Sequence, residues 1–311
     1  MDSHYILLHY RFELSIKYRK DCQKSGYNDI SIPNLFPYGV SMAFIDSYNI
    51  IRGDLDKIFR SRLTIQTLLS LDQGGKSLTE LREITGSSSQ ALIPIIRKLE
   101  LNNLIVRVSE GYCLTPVGQI MNIKINDVFS FLSVISTYKS YFKDHYLEAI
   151  PLEFLQEIEK LNDSYLLSDT QVEIFAVYSN FLKIVAEAKW IYGISSIMSL
   201  GHAEAIAKRV KEGIVVDLVV DNAVMDQLRS DPYNGLINEI AKYSNFKIFL
   251  YKNKLNLGII LSNSTLSLGL YKADKITYDT TMDILSKNPT AIAWGERVFN
   301  YFKEKSELMV L

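Results

Sequence analysis

Between Asp54 and Leu114 the spacing of apolar positions changes several times, and each change marks an element. Leu55, Ile58, Phe59, Leu63, Leu68 and Leu69 fall on one side of a helix that Asp54 is placed to cap, and "DQGGKS" ends it. Ser77 and Glu80 stand at the S-x-x-E spacing of a capping box. They start a second, short helix with Leu78, Leu81 and Ile84 inward, and Gly86 breaks it. In "SSSQALIPIIRKLE", residues 87–100, Leu92, Ile95, Ile96 and Leu99 recur at i, i+3, i+4 and i+7, a third helix with one core-facing stripe. "LIVRVSEGYCLT" then reads as two β-rich runs joined by Ser109, Glu110 and Gly111, a hairpin by composition. Helix, helix, turn, helix and hairpin is the order of a winged helix-turn-helix.

Pro94 complicates the third helix. With Ser88 as N-cap it stands well inside, where proline removes one backbone hydrogen bond and crowds the Gln90 carbonyl, at a cost of ~3 kcal/mol. Either the helix kinks there, or its regular part begins nearer Leu92 and leaves "GSSSQ" as a turn. The expectation is a recognition helix with an irregular first turn.

Beyond this module the pattern is helical from about 120 to 165, with "YKSYFKDHYLEAIP" as a tyrosine-rich joint, and again from about Thr170 to Ala188. It then changes to apolar β runs alternating with helices. "WIYGIS" and "IVVDLVV" are strands, "GHAEAIAKRVKEG" and "NAVMDQLRS" helices; "FKIFLY", "NLGIILS" and "TLSLGLY" are strands close enough for antiparallel hairpins, and "PTAIAWGERVFNYFKEKS" is a closing helix. Trp190 and Trp294 belong in its core. The fold class is therefore α/β overall: an N-terminal winged helix-turn-helix and a C-terminal mixed α/β domain. Four parts are expected: an extension over 1–49, the winged helix over 50–125, a helical connector over 126–169 and the α/β domain over 170–311. The extension is distinct, with six tyrosines, the paired prolines of "SIPNLFPYGV" and no sustained period. Either it packs poorly, with Met42 a second possible start, or it packs on a partner subunit.

Composition narrows the class. A chain of 311 residues with 48% hydrophobic and 22% charged residues is globular, and no apolar run approaches the ~20 residues of a membrane span. The first residues lack the pattern of a secretory signal, and Cys22 and Cys113 cannot make a disulfide framework or an all-cysteine zinc site, so a reducing cytoplasmic setting is expected. The net charge of −1 argues against indiscriminate coating of nucleic acid. Charge is uneven, however. Residues 55–125 hold nine Lys/Arg against six Asp/Glu, or +3, and residues 126–311 hold nineteen against twenty-three, or −4. A basic module joined to an acidic one fits a selective nucleic-acid binder.

The candidate contacts follow from the third helix. Gln90, Ile93, Pro94 and Arg97 lie opposite the apolar stripe, with Lys98 at its edge. Gln90 can bond an adenine edge, and Arg97 and Lys98 can meet guanine or phosphate. Ser88 and Ser89 offer capping and phosphate contacts at the helix N-terminus. On the wing, Glu110 repels phosphate, while Arg107 and Tyr112 stand behind it as secondary contacts. In the α/β domain, His202 follows strand "WIYGIS" at the start of a helix, where open α/β folds bind ligands. With Ser195, Ser196 and Gly201 it could hold an anionic or hydroxylated group, or it could simply lie on a helix-capping loop. Asn256 and Tyr271 are further ligand candidates. His4, His9, His145 and His202 lack zinc-ligand spacing, no phosphate-binding glycine loop or G-x-S-x-G elbow occurs, and no catalytic residue, metal or cofactor is expected. Cys113 reads as a small apolar residue on a wing strand.

The stretch "LTELREITGSSSQALIPIIRKLELNNLIVRVSEGYCLTPVGQIM" resembles the winged-helix half of archaeal regulators in the methanogenesis regulatory protein family, including the mid-helix proline and the Y-x-L-T-x-x-G motif at Tyr112, Leu114, Thr115 and Gly118. "IYGISSIMSLGHAEAIAKRVKEGIVVDLVV", "LGIILSNSTLSLGLY" and "AIAWGERVFNYFKEKS" resemble its C-terminal sensor-like half. The resemblance runs from about residue 50 to the end. It implies a cytoplasmic, homodimeric, archaeal transcriptional regulator that binds double-stranded DNA, with a C-terminal domain that senses a small-molecule effector or mediates assembly. The second half also resembles, more distantly, the phospholipase-D-like fold. That fold's H-x-K-x4-D mark is absent, because Asn256, Gly258 and Asn263 stand at the corresponding strand. This argues for a binding domain over a phosphodiesterase or phosphoryl-transfer enzyme. A winged helix that binds protein is the third alternative.

Overall fold

The computed structural model describes residues 40–309. Cys22, His4, His9 and most of the expected extension lie outside them. The chain divides into compact units after Asp56. From the first, helix α1 (Val40–Phe59) runs through the position where Asp54 was expected to start a helix. The break falls later, at Arg60–Ser61, because Ser61 is the N-cap of α2 (Arg62–Ser70) and its hydroxyl accepts from the Thr64 amide at 3.2 Å. The stripe read as one helix is thus split over two, and Phe59, expected inward, is exposed.

In the second unit, α3 (Leu78–Thr85) has the full capping box: the Ser77 amide donates to Glu80 Oε2 at 2.7 Å and the Glu80 amide to Ser77 Oγ at 3.2 Å. Gly86 ends it in the left-handed conformation at φ 62°, where glycine carries no Cβ penalty. Ile84, expected inward, is 54% exposed; the buried seventh step from Leu78 is Thr85, whose hydroxyl donates back to the Leu81 carbonyl. Helix α4 (Ser89–Leu101) leads to the antiparallel hairpin of β1 (Ile105–Val108) and β2 (Gly111–Leu114), in register Arg107 with Tyr112. Leu68, Leu71, Leu81, Leu92, Ile96, Leu99, Leu104, Ile105 and Ile125 form the core beneath them.

Helix α5 (Pro116–Thr137) leaves the wing, and α6 (Lys139–Asp144) follows. The helical pattern then breaks into 3-10 turns around the short α7 (Leu152–Leu155), and strand β3 (Tyr165–Ser168) follows. Helix α8 (Ala176–Glu187) starts later than Thr170, because Thr170 and Glu173 close a turn on each other first. The sheet then adds β4 (Trp190–Ser195), β5 (Val215–Val220), β6 (Phe246–Leu250), β7 (Leu257–Leu261), β8 (Leu266–Leu270), β9 (Met282–Ser286) and β10 (Glu307–Leu308), in the order β10-β6-β5-β4-β7-β8-β9-β3. β4, β5 and β6 run parallel, and β7 and β8 form an antiparallel hairpin. β6 was expected in a hairpin; it joins the parallel group because α10 (Asn222–Leu228) and α11 (Asn234–Ile240) carry the chain back across the sheet.

The sheet buries both faces. On one, α12 (Pro289–Glu304) sets Trp294, Val298, Phe299 and Phe302 against Leu257, Ile259, Leu266 and Leu268, and Trp294 Nε1 donates to the Phe154 carbonyl at 3.1 Å. Trp190 packs half-buried at the edge of the same cluster. On the other face, α8, α9 (Leu200–Lys211), α10 and α11 cover Ile191, Val216, Leu218, Val220 and Ile248. Among the described residues no helix is long and apolar enough to cross a membrane, and no cluster of three His, Cys, Asp or Glu could hold a metal ion.

Candidate functional site

Helix α4 begins at Ser89, earlier than the turn-like "GSSSQ" reading allowed. Ser88 is its N-cap, and the cap holds the first turn: the Ala91 amide donates to Ser88 Oγ at 3.3 Å and the Leu92 amide to the Ser88 carbonyl at 3.1 Å. Pro94 lies inside a helix that continues through it. It supplies no N–H to the Gln90 carbonyl, and the helix survives because Leu92, Ile96 and Leu99 are anchored in the core on the opposite face. Pro94→Ala is expected to stabilise the winged helix by about 2 kcal/mol: the ~3 kcal/mol penalty of an interior proline, less up to ~1 kcal/mol by which proline restricts the unfolded chain. The thermal midpoint measures it, and an unchanged or lower midpoint would contradict it.

The outward face of α4 presents Gln90, Ile93, Pro94 and Arg97 to solvent, with Lys98 beside them; Ser88 is exposed and Ser89 half-buried. Arg107 is exposed on β1, and Glu110 stands exposed in the two-residue turn at the wing tip. Arg82, Arg97, Lys98 and Arg107 make no salt bridge with the described residues. Tyr112 is placed differently. Its ring packs against the winged-helix core, and its backbone exchanges two hydrogen bonds with Lys76, at 3.0 and 2.9 Å.

The Y-x-L-T-x-x-G motif is built as a clamp. Thr115 caps α5 by accepting from the Gly118 amide at 3.0 Å, and its hydroxyl donates to the Asn103 carbonyl at 2.5 Å. The Thr115 amide meets the Leu104 carbonyl at 3.0 Å, and Gly118 lies directly under that same carbonyl. These contacts tie the wing's exit to the C-terminal end of α4.

In the α/β domain a cavity of ≈ 140 Å³ opens between α8, the start of α9 and the β4-β7-β8-β9 part of the sheet. Alternation along the strands creates it. One face carries Ile194, Leu257, Ile259, Leu266 and Leu268 into the core, whereas the other carries Gly193, Ser195, Gly258, Ile260 and Ser267, several of which lack the volume to fill the space under α8. Val177, Tyr178, Phe181, Met198 and Ile206 form the apolar walls. Of the residues singled out in sequence, Ser195 and His202 line the cavity. Ser195 Oγ is bonded to the Ile197 carbonyl. His202 lies edge-on to Tyr178 and Phe181, with Nδ1 on Ser199 Oγ, and burial holds its pKa below the usual histidine range.

Ser196, Asn256 and Tyr271 gather instead at a neighbouring spot. Tyr271 donates its hydroxyl to the Ser196 carbonyl at 3.5 Å and its amide to the Asn256 carbonyl at 3.3 Å, and Ser196 Oγ donates to the Leu257 carbonyl. Two lining residues were not anticipated: Tyr278 and Asp283. Burial raises the Tyr278 hydroxyl well above the ordinary tyrosine range. Burial also raises the Asp283 carboxyl to about 7, against the hydrogen bond from Ser267, with the Asp279 charge adding to the rise. Asp283 sits on β9, a strand not anticipated from the sequence, and the one available hint was the pair of glycines on alternate positions of "NLGIILS" and "TLSLGLY".

Two family models match this chain: methanogenesis regulatory protein FilR1, N-terminal domain, over residues 52–133, and FilR1, middle domain, over residues 174–305. The methanogenesis regulatory protein FilR1 of Methanothrix harundinacea (strain 6Ac) is 23% identical over 254 residues, covering 80% of this chain and 57% of that protein, so the matched region spans little more than half of the relative. Among solved structures, TrmBL2, described as an archaeal chromatin protein, is 14% identical and covers 84% of this chain and 100% of that chain, with a TM-score of 0.37. Nuc, a phospholipase D family member from Salmonella typhimurium, is 15% identical and covers 47% of this chain and 98% of that chain, also with a TM-score of 0.37. At those scores neither likeness carries an argument about function.

Proposed function

This chain belongs to the methanogenesis regulatory protein family, and from that premise we propose that it is a DNA-binding transcriptional regulator and not an enzyme. One observation carries the reading: the outward face of a core-anchored helix, at the third position of a helix–helix–helix–hairpin module, presents Gln90, Arg97 and Lys98 with no carboxylate among the described residues paired to them. Gln90 reads a base edge in the major groove. Arg97 and Lys98 meet phosphate or guanine, and the first turn, capped by Ser88, receives a phosphate at Ser88 and Ser89. Arg107 supports the wing contact, while Glu110 keeps the wing tip off the backbone and makes the wing secondary.

The regulator acts as a homodimer in the cytoplasm. On α5 the exposed Val117, Ile120, Val128, Phe131 and Leu132 recur at helical spacing, an apolar stripe beside the face that packs into the core and suited to pair with its copy. The α/β domain senses a small molecule, and occupancy biases the spacing of the two winged helices, shifting populations between existing states.

Arg97→Ala tests the DNA reading. Operator sequences are first selected from the source genome with the wild-type protein. Loss of Arg97 is expected to weaken binding to them by ~1–3 kcal/mol, with a smaller salt slope if the contact is to phosphate. Unchanged affinity removes Arg97 from the interface. A wild-type protein with no salt-dependent DNA binding overturns the reading and favours a protein-binding winged helix.

A further inference from the structure

Three of the cavity's polar groups are committed within the protein. Ser195 Oγ is bonded to the Ile197 carbonyl, His202 Nδ1 to Ser199, and Ser267 Oγ donates to Asp283 Oδ2 at 2.5 Å. One lining acceptor is buried without a partner. Asp283 Oδ1 is sealed from solvent and has no hydrogen-bond partner among the described residues. Such an atom costs folding free energy unless something else satisfies it.

Glycine backbone packs closely against it. A Cβ at Gly269 would stand 2.6 Å from Asp283 Oδ1 and 2.1 Å from the Tyr278 hydroxyl, and one at Gly258 would stand 2.5 Å from that hydroxyl. Only glycine at those two positions lets the carboxylate and the phenol share the floor of the cavity. The walls are apolar and aromatic. A volume of ≈ 140 Å³ is close to that of a cavity known to take up benzene, which sets the scale of an occupant at about one ring.

We infer that this cavity binds a small, largely apolar molecule of about one ring's size that presents a single hydrogen-bond donor, an amine, alcohol or amide N–H, to Asp283 Oδ1. The inference rests on the reading of the α/β domain as a sensor and gives that sensor its ligand chemistry. Apolar contact with Tyr178, Phe181 and Ile206 supplies attraction without direction, and Asp283 supplies the selectivity. A site that leaves a buried acceptor unpaired rejects a ligand that brings another acceptor. Carboxylate-bearing molecules of the same size are therefore disfavoured at Asp283.

The test uses the full chain without DNA and three matched probes: benzyl alcohol, benzylamine and benzoate, titrated calorimetrically at pH 8. Benzyl alcohol and benzylamine are expected to bind saturably, and benzoate at least about ten-fold more weakly. Asp283→Asn keeps the shape and inverts the chemistry. Ser267 continues to donate to the side-chain oxygen, so the amide nitrogen takes the Oδ1 place and turns the acceptor into a donor. That variant is expected to reverse the order and favour benzoate. Three results would each overturn the inference: no binding by any probe, equal binding of benzoate and benzyl alcohol by the wild type, or the same order in Asp283→Asn. DNA binding is measured separately on the same preparations, so failure of the ligand chemistry remains distinct from failure of the regulatory reading.

Discussion

Gly118→Ala is expected to destabilise the winged helix by on the order of 3–5 kcal/mol and to abolish salt-dependent DNA binding with it. A Cβ at this position would lie 1.8 Å from the Leu104 carbonyl oxygen and 2.8 Å from its carbon. Those are backbone atoms and cannot rotate aside as a side chain would. The same carbonyl accepts the Thr115 amide, and Thr115 also caps α5 and bonds the Asn103 carbonyl, so relieving the clash pulls apart the joint between α4, β2 and α5. Greater intrinsic helix propensity for alanine, about 1 kcal/mol over glycine, is too small to compensate. Gly235→Ala is the control. Gly235 lies in a helix with nothing within 4 Å of its would-be Cβ, so alanine there should be neutral or slightly stabilising. Urea midpoints of the two variants decide the matter. Equal midpoints would mean that the close approach at Gly118 costs nothing to relieve.

This changes the meaning of the motif that points most directly to the family. Tyr112, Leu114, Thr115 and Gly118 look like a wing signature, and sequence reasoning assigned Tyr112 to DNA. In the structure the motif secures the wing's exit, while the exposed cationic groups lie elsewhere, on α4 and β1. Spacing alone could not separate the two roles, because a backbone-to-backbone approach leaves no trace except the glycine itself.

Elements with a local cause were legible. The capping box at Ser77 and Glu80, the Gly86 stop and the Val108–Gly111 hairpin are fixed by residues within four positions of each other, and each appears where the sequence places it. The strands at Trp190, Val215, Leu257 and Leu266 are dense in β-branched and aliphatic residues, and they too were found. What was missed depends on distant partners. β3 and β9 pair with each other across more than a hundred residues, and neither has a strong pattern of its own. β6 reads like its neighbours in a hairpin, and only the crossover through α10 and α11 makes it parallel. The cavity follows the same logic: Ser195 and His202 were visible through their position after a strand, whereas Asp283 gains its character from burial beside Tyr278, Tyr141 and Asp279, a matter of tertiary packing alone.

Asp283 accordingly gives the second large effect, in the pH dependence of stability. Its carboxyl titrates near 3.8 when exposed and at about 7 in the folded chain, because burial disfavours the charge and the nearby Asp279 charge reinforces this against the Ser267 hydrogen bond. Between those values the folded chain holds a proton that the unfolded chain has released. The native state therefore gains relative stability in acid, and that gain is lost as pH rises toward 7. Above 7 both states are ionised, and the folded one bears the full cost of a buried, half-satisfied carboxylate, on the order of 4 kcal/mol. Asp283→Asn cannot ionise, yet its carbonyl oxygen still accepts from Ser267. It is expected to exceed the wild type in stability by about that amount at pH 8 and to converge with it near pH 4. Asp279, whose own pKa is lowered because bonds from Thr281 and the Lys272 charge outweigh its burial, contributes in the opposite sense, losing stability as pH falls. Taking the difference between variant and wild type at each pH isolates most of the Asp283 contribution, apart from the coupling between the two carboxylates. Urea unfolding from pH 4 to 8 reads this directly. A difference that stays constant across that range would place an ordinary, solvated carboxylate at Asp283, and a difference that grows with pH is the signature of an acid kept neutral by its site.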